Sequence, residues 1–80
     1  LTEDRRKDLV KQSRAECEHG KVGIRAARKD TNNDLKKLQK EGASEDAVKG
    51  AEDEVQKITD AYIKKIEDVL KAKENEIMSI

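Results

Sequence analysis

The segment KEGASED, residues 40–46, is the one clear break in a chain that is otherwise typical of helix. Gly42 suits the left-handed position that follows the C-terminus of a helix. Ser44 suits the N-cap of a new helix, and the acidic Glu45 and Asp46 after it favour the positive end of the helix dipole. The segment therefore predicts that one helix ends, the chain reverses within a few residues, and a second helix returns antiparallel to the first.

The composition predicts long, solvated helices rather than a compact core. Of the 80 residues, 34% are hydrophobic and 45% are charged, Tyr62 is the single aromatic residue, and proline is absent. Such a charged chain, rich in good helix formers, is typical of extended helices. We therefore predict an all-α fold, a long antiparallel two-helix hairpin, with one helix over about residues 2–41, a turn over about 42–44 and a second helix over about 45–79.

The apolar residues of both helices recur at helical spacing, but they form an incomplete core. In the first helix the small or apolar positions are Leu9, Cys17, Gly20, Ile24, Ala27, Thr31, Leu35 and Leu38. In the second helix the main line is Val48, Ala51, Val55, Ile58, Tyr62, Ile66, Val69, Ala72 and Ile77. Four further apolar residues lie beside that line, namely Ala61, Ile63, Leu70 and Ile80. This band is wider than one partner helix covers, so we expect a third helix, supplied by missing chain or by a second copy.

The net charge of zero conceals an asymmetry between the two halves. Residues 1–41 carry 12 Lys and Arg against 8 Asp and Glu, whereas residues 42–80 carry 6 against 10. The first half is therefore +4 and the second half −4. This asymmetry indicates either two surfaces with different partners or attraction between the two helices, and the sequence leaves both open.

No residue pattern in the chain is typical of a catalytic, metal or cofactor site. Cys17 and His19 are two ligands where a structural zinc site needs four, and residues at that spacing point to different sides of a helix. The carboxylates of the second helix alternate with lysines, as on a solvated face. A single cysteine forms no internal disulfide, and no apolar run reaches the length of a signal sequence or a membrane span. We expect no enzyme activity, no metal, no cofactor, no membrane contact and a cytoplasmic location.

The stretch KVGIRAARKD, residues 21–30, places cations at helical spacing. Residues three and four apart share a helix face, which predicts a basic ridge. The ridge would consist of Lys21, Arg25, Arg28, Lys29 and Asn32. Guanidinium groups suit phosphates and an asparagine amide suits a sugar or a base edge, so the ridge indicates RNA binding. The small Gly23 and Ala26 beside it would let a bulky backbone approach. From these residues alone, a solvated face or pairing with the acidic second helix stays equally open.

Several ordered blocks of the chain closely resemble the C-terminal part of bacterial ribosome recycling factors. The blocks are LTEDRRKDLVKQ, VGIRAARKDTNND, GASEDAVK and EDEVQKITDAYIKKIEDVLKAKENEIM, which together extend over nearly the whole chain. Members of this family have a three-helix-bundle domain and a β-rich domain inserted between its first helix and the other two. The resemblance implies that this chain corresponds to helices two and three of the three-helix bundle, without the first helix and the inserted domain. A start at Leu1 rather than at methionine agrees with a piece of a longer protein.

The same resemblance implies a function on the ribosome. In the family, the bundle domain lies on the large ribosomal subunit and contacts 23S ribosomal RNA. Together with elongation factor G, the factor splits the post-termination ribosome and performs no covalent chemistry itself. The arginine-rich RNA-contacting motif of the family corresponds here to Arg25 and Arg28, followed by Lys29, and Lys21 holds a position that is often basic.

Two points stay open at the level of sequence. Arg5 and Arg6 belong to the RRKDL block of the family, and they are placed to contact either RNA or the inserted domain. The alternative to RNA binding is that the hairpin acts only as a protein interaction or oligomerisation module, with its charges serving solubility. In either case we expect a chain without its third helix to self-associate and cover its apolar band, or to fold loosely.

Overall fold

The structure, a computed structural model, describes residues 2–79 as two helices that pack against each other in an antiparallel hairpin. Helix α1 is Glu3–Lys40 and helix α2 is Glu45–Ser79, and the described residues contain no strand. The predicted all-α hairpin is therefore confirmed. Leu1 and Ile80 lie outside the described residues, and with them the predicted contribution of Ile80 to the apolar band.

The reversal between the helices is a helix C-cap joined directly to an N-cap. Gly42 has a φ of 112°, a left-handed conformation that glycine adopts without steric penalty. The N–H groups of Gly42 and Ala43 donate to carbonyls of the last turn of α1 at 3.1 and 2.9 Å, the paired bonds of a Schellman motif. Ser44 then caps α2, because its Oγ accepts from the N–H of Ala47 at 3.3 Å. Both roles agree with the sequence pattern.

The hairpin is a thin rod with very little buried interior. Its principal extents are 61, 15 and 7 Å. Among the described residues only Val48, Thr59 and Ile77 are buried, and all three belong to α2. Two helices share only one line of contact, so most of each helix stays open to solvent. Neither helix, over its described residues, offers a stretch apolar and long enough to span a lipid bilayer.

The line of contact along α2 differs from the predicted one. The buried and half-buried positions of α2 are Val48, Ala51, Glu52, Val55, Thr59, Ile63, Ile66, Leu70, Glu74 and Ile77. Four residues that the apolar pattern places on the line are instead exposed, namely Ile58, Tyr62, Val69 and Ala72. Ile63 and Leu70, predicted to lie beside the line, are part of it. Apart from the adjacent pair Ala51 and Glu52, the observed line advances in the steps of three and four residues that helix geometry requires, whereas the apolar residues spread to one side of it.

Thr59 is a polar residue in the middle of this line, and an internal hydrogen bond makes its burial possible. Its hydroxyl donates to the carbonyl of Val55 at 2.7 Å, so its hydrogen bond is satisfied within α2. A buried hydroxyl with a partner carries no large desolvation penalty. Thr59 is therefore 6% exposed, whereas the neighbouring apolar Ile58 is 54% exposed.

The line of contact along α1 also departs from the apolar pattern, because polar and charged residues share it. The half-buried positions of α1 are Arg6, Leu9, Val10, Ser13, Cys17, Lys21, Ile24, Arg28, Asn32 and Leu35. Four residues predicted for the line are exposed, namely Gly20, Ala27, Thr31 and Leu38. The predicted line was wrong at these positions because it followed apolar and small residues only, and these extend beyond the width that one partner helix covers.

The uncovered apolar residues form an open groove along one side of the hairpin. We define the apolar groove by Cys17, Gly20, Ile24, Ala27 and Thr31 of α1 with Val55, Ile58, Tyr62, Ile66 and Val69 of α2. The groove agrees with the expected excess of apolar residues over what one partner helix buries. Tyr62 lines it over much of its length, with the Nζ of Lys65 5.3 Å from the ring centroid.

Candidate nucleic-acid interface

Polar side chains also make contacts between the two helices. Arg14, Lys21 and Arg28 of α1 each bind a side chain of α2. Their seven-residue interval is close to two helical turns, so the three side chains project in nearly the same direction. Each partner comes from progressively earlier in α2, as an antiparallel arrangement requires. We call these three contacts the polar ladder.

Lys21, one of the predicted RNA-binding residues, is engaged within the polar ladder. Its Nζ lies 3.3 Å from Oε1 of Glu18 and 3.3 Å from Oε1 of Glu67, and its side chain is only 12% exposed. The hydrogen bonds to Glu18 and to Glu67 raise the pKa of Lys21 above its ordinary value. Two carboxylates therefore balance its charge, and the structure does not bring Lys21 together with the other cations of the predicted ridge.

Arg14 makes the corresponding contact seven residues earlier. Its Nε donates to Oε1 of Glu74. This hydrogen bond, together with the charge of Arg14, holds the pKa of Glu74 below its ordinary value. The Arg14 and Lys21 contacts show that the opposite charges of the two halves attract each other, which is one of the two interpretations that the charge asymmetry left open.

Arg28 differs from the other two members of the ladder, because its partner is uncharged. Its Nη1 donates to Oε1 of Gln56 at 2.8 Å. Nε2 of Gln56 in turn donates to Oδ1 of Asp60 at 2.9 Å. The Nε atom of Arg28 is buried and has no hydrogen-bond partner among the described residues. Arg28 is thus held by α2 without direct contact with a carboxylate there.

The remaining predicted residues line one open hollow, which we call the basic hollow. Its lining is Arg25, Ala26, Arg28, Lys29, Asn32, Asn33 and Lys36, around a volume of about 480 Å³. These residues comprise four cations, two amides and no carboxylate. Arg25 and Lys29 are exposed, whereas Arg28 and Asn32 are half-buried. A concave surface that is lined by cations and lacks carboxylates attracts anions, so it suits a phosphate backbone.

Lys36 and Asn33 belong to the basic hollow although we did not predict them. Lys36 follows Asn32 by four residues and Lys29 by seven, so helical spacing already places it on the same face. The prediction followed the run of adjacent cations, which ends at Lys29. Asn32 brings an amide whose Oδ1 is buried and has no hydrogen-bond partner among residues 2–79.

The two small residues expected beside the ridge lie in different surroundings. Ala26 lines the basic hollow, where its small side chain leaves room between the longer ones. A Cβ atom at Gly23 would meet no atom within 4 Å beyond its chain neighbours and the nearby backbone of its own helix. Only Ala26 therefore borders the basic hollow, and Gly23 faces open space.

Arg5 and Arg6, whose role the sequence left open, lie far from the basic hollow. Arg5 is exposed, and Arg6 is half-buried on the line of contact. Nineteen residues separate Arg6 from Arg25, which corresponds to about 29 Å along the helix axis. Arg5 and Arg6 are therefore not part of this hollow.

Cys17 and His19 lie in different environments, as their spacing predicts. Cys17 is half-buried and lines the apolar groove, whereas His19 is exposed. Within the described part of the chain, no group of three or more side chains is arranged to hold a metal ion.

Comparisons with known proteins agree on one family. The family profile described as Ribosome recycling factor matches residues 1–78. The ribosome-recycling factors of Flavobacterium johnsoniae, Cytophaga hutchinsonii and Flavobacterium psychrophilum are 60%, 56% and 55% identical to the chain over all 80 of its residues. The chain spans 43% of the length of each of these relatives. On these matches and on the helical hairpin that it forms, the chain belongs to the ribosome recycling factor family.

Proposed function

We propose that this chain is the part of a ribosome recycling factor that contacts 23S ribosomal RNA on the large ribosomal subunit. In the whole factor, working in the cytoplasm with elongation factor G, it takes part in splitting the post-termination ribosome. The observation that carries the proposal is the lining of the basic hollow, with four cations, two amides and no carboxylate. Membership of the family supports the ribosome as the target.

The residues of the hollow have separate roles in this proposal. Arg25 and Lys29 are exposed and bind phosphate oxygens by charge-assisted hydrogen bonds. Arg28 presents the remaining donors of its guanidinium group, and Asn32 offers an amide to a ribose or a base edge. Lys21 has a supporting role, because Glu18 and Glu67 already balance its charge.

The shape of the chain supports a mechanical role in the whole factor. The hairpin is a rod 61 Å long, and a rigid rod anchored on RNA transmits force applied elsewhere on the protein. We propose that a first helix, outside this chain, covers the apolar groove and completes a three-helix bundle. The chain spans 43% of the length of its relatives, and the rest of that length is enough for such a helix and for an inserted β-rich domain.

The test is binding of the whole factor to isolated large ribosomal subunits across a series of salt concentrations. Arg28→Ala should weaken binding by about 1 to 3 kcal/mol, the scale of single protein–nucleic-acid contacts. The slope of log affinity against log salt should become shallower by about 0.7 to 0.9 for each phosphate contact removed. Replacing both Arg25 and Arg28 by alanine should therefore reduce both the affinity and the slope.

A matched control removes the same charge from the outer face of α2. Lys57 and Lys64 are each 75% exposed and pair only within their own helix, with Glu54 and Asp68. Changing both lysines to alanine should leave subunit binding nearly unchanged. Equal binding by the double arginine variant and the wild-type factor would reject the basic hollow as the RNA contact.

The apolar groove favours a second candidate function, in which the hairpin is only a protein interaction or oligomerisation module. Tyr62 and Val69 are 54% and 67% exposed along it, and a contiguous exposed apolar surface is typical of a protein contact site. Sedimentation at low and high salt separates the two functions. Self-association that persists at high salt without RNA, together with salt-insensitive subunit binding, would favour the second candidate.

A further inference from the structure

We infer that Gln56 of α2 is a positioning residue for RNA binding, which holds the guanidinium group of Arg28 at the basic hollow while leaving its charge available. The inference rests on the proposed RNA-binding function. It adds a residue from the other helix, because all seven lining residues of the hollow belong to α1. Gln56 would act on RNA only through Arg28.

The polar ladder supplies an internal comparison. The first two cations, Arg14 and Lys21, are bound by the carboxylates of Glu74 and Glu67. Arg28 is the third cation in the series, and its partner is the neutral amide of Gln56. A carboxylate there would neutralise Arg28 as it does the others. The amide provides the same acceptor oxygen without the opposing charge, and only this cation of the ladder also lines the basic hollow.

Asp60 determines which end of the Gln56 amide faces Arg28. A glutamine side chain has one acceptor oxygen and one NH₂ donor group. The Oδ1 atom of Asp60 accepts from the NH₂ group at 2.9 Å, so the amide oxygen is directed to Nη1 of Arg28 at 2.8 Å. Asp60 thereby orients the amide, and its own carboxylate lies beyond Gln56 rather than against the guanidinium group.

The benefit of this arrangement is preorganisation. A free arginine loses considerable rotamer freedom when it is ordered on a ligand, and immobilising one such side chain weakens binding by a factor of about 3 to 10. Arg28 is already half-buried and bonded across the helices before RNA arrives. Its Nε is buried and its Nη1 is bonded to Gln56, so the Nη2 side of the group is left to bind a phosphate.

The test uses Gln56→Met, which keeps the side-chain length and the helix propensity but removes the acceptor. In the whole factor this change should weaken binding to isolated large ribosomal subunits about 3- to 10-fold. Thermal unfolding followed by circular dichroism verifies that the variant is folded. Gln12→Met is the matched control, because Gln12 is an exposed residue of α1 outside the hollow, and it should leave binding unchanged.

Two further variants identify the route of the effect. In an Arg28→Ala background, Gln56→Met should cause no additional loss, because the residue through which it acts is gone. Gln56→Glu should weaken binding more than Gln56→Met, since a carboxylate neutralises Arg28. It should also make the slope of log affinity against log salt shallower, by the amount expected for the loss of about one phosphate contact.

The outcomes separate this inference from the function on which it rests. An equal loss from Gln56→Met with and without Arg28 would show that Gln56 does not act through the guanidinium group, and would overturn the inference. Unchanged binding by Gln56→Met, with weakened binding by Arg28→Ala, would overturn the inference and leave the proposed function standing. Unchanged binding by variants of Arg25, Arg28 and Gln56 alike would overturn both.

Discussion

Lys21 and Glu67 form an ion pair across the two helices, with Nζ and Oε1 3.3 Å apart. The Lys21 side chain is 12% exposed, and Glu18 supplies a second carboxylate at the same distance. A cation that spacing assigns to an RNA-binding ridge thus serves the contact between the helices. Arg25 and Lys29, on the same helix, stay exposed in the basic hollow. Some cations of α1 therefore pair with carboxylates of α2, whereas others are exposed and available to bind an anion.

Removing the cation at Lys21 should destabilise the hairpin. Lys21→Met leaves Glu18 and Glu67 without their shared partner, so we expect a lower midpoint of thermal unfolding, measured by circular dichroism. Lys64→Met is the control, since Lys64 is 75% exposed and pairs within α2 with Asp68 at 3.7 Å. Exposed pairs of that kind contribute little. The prediction is wrong if the two substitutions lower the midpoint equally.

The Arg14–Glu74 contact predicts a loss of stability in acid. The folded-state pKa of Glu74 is depressed, first by the hydrogen bond from Arg14, below the ordinary value of 4.5. A depressed pKa means that the contribution to stability is fully present above the ordinary value and is lost as the pH falls through the lower folded-state value. Unfolding by urea at a series of pH values between neutral and strongly acidic measures this loss.

Glu74→Gln should remove that part of the acid sensitivity. The amide does not titrate, so the variant should be less stable than wild type at neutral pH and should approach it in acid. Glu76→Gln is the matched control, because Glu76 pairs only within α2, with Lys73 at 3.9 Å. Parallel stability curves for wild type and Glu74→Gln across the acid range would contradict the prediction.

The turn could be predicted from sequence because its determinants are local. Gly42 and Ser44 act through their own backbone conformation and through hydrogen bonds to groups within five residues. Such capping preferences depend little on the rest of the chain. The existence of two helices, and the reversal between them, follow from these residues and from the absence of proline.

The line of contact could not be predicted in the same way, because it depends on the partner helix. Counting apolar residues placed Ile58 and Val69 on the line, whereas Thr59 and Leu70 occupy it. Thr59 is compatible with burial only because its hydroxyl bonds within its own helix. For the candidate site, helical spacing grouped Arg25 with Arg28 and Lys29, which line the same hollow, but whether a given cation meets a carboxylate on α2 depends on the register of the hairpin.

Gly23→Ala should stabilise the protein. A Cβ atom at this position meets nothing within 4 Å beyond its chain neighbours and the nearby backbone of its own helix, so alanine adds helix propensity without a clash. The expected gain in free energy of unfolding is about 0.5 to 1 kcal/mol. Gly42→Ala is the contrasting variant, because a φ of 112° strains any residue with a Cβ, and it should destabilise by about 1 to 2 kcal/mol. Urea unfolding of both variants tests the pair, and a Gly23→Ala protein that is less stable than wild type would contradict the prediction.

Val69→Ala tests whether another helix covers the apolar groove in the whole factor. Val69 is 67% exposed in the hairpin, and surface substitutions of this kind change the free energy of unfolding by less than about 0.5 kcal/mol. If a helix packs on the groove, the same substitution removes buried methyl groups and should destabilise the whole factor by about 1.5 kcal/mol. Val22→Ala is the control, since Val22 is 59% exposed and does not line the groove, and it should have little effect in either case. We expect Val69→Ala to be the more destabilising variant, and equal effects of the two substitutions in urea unfolding would show that the groove stays open.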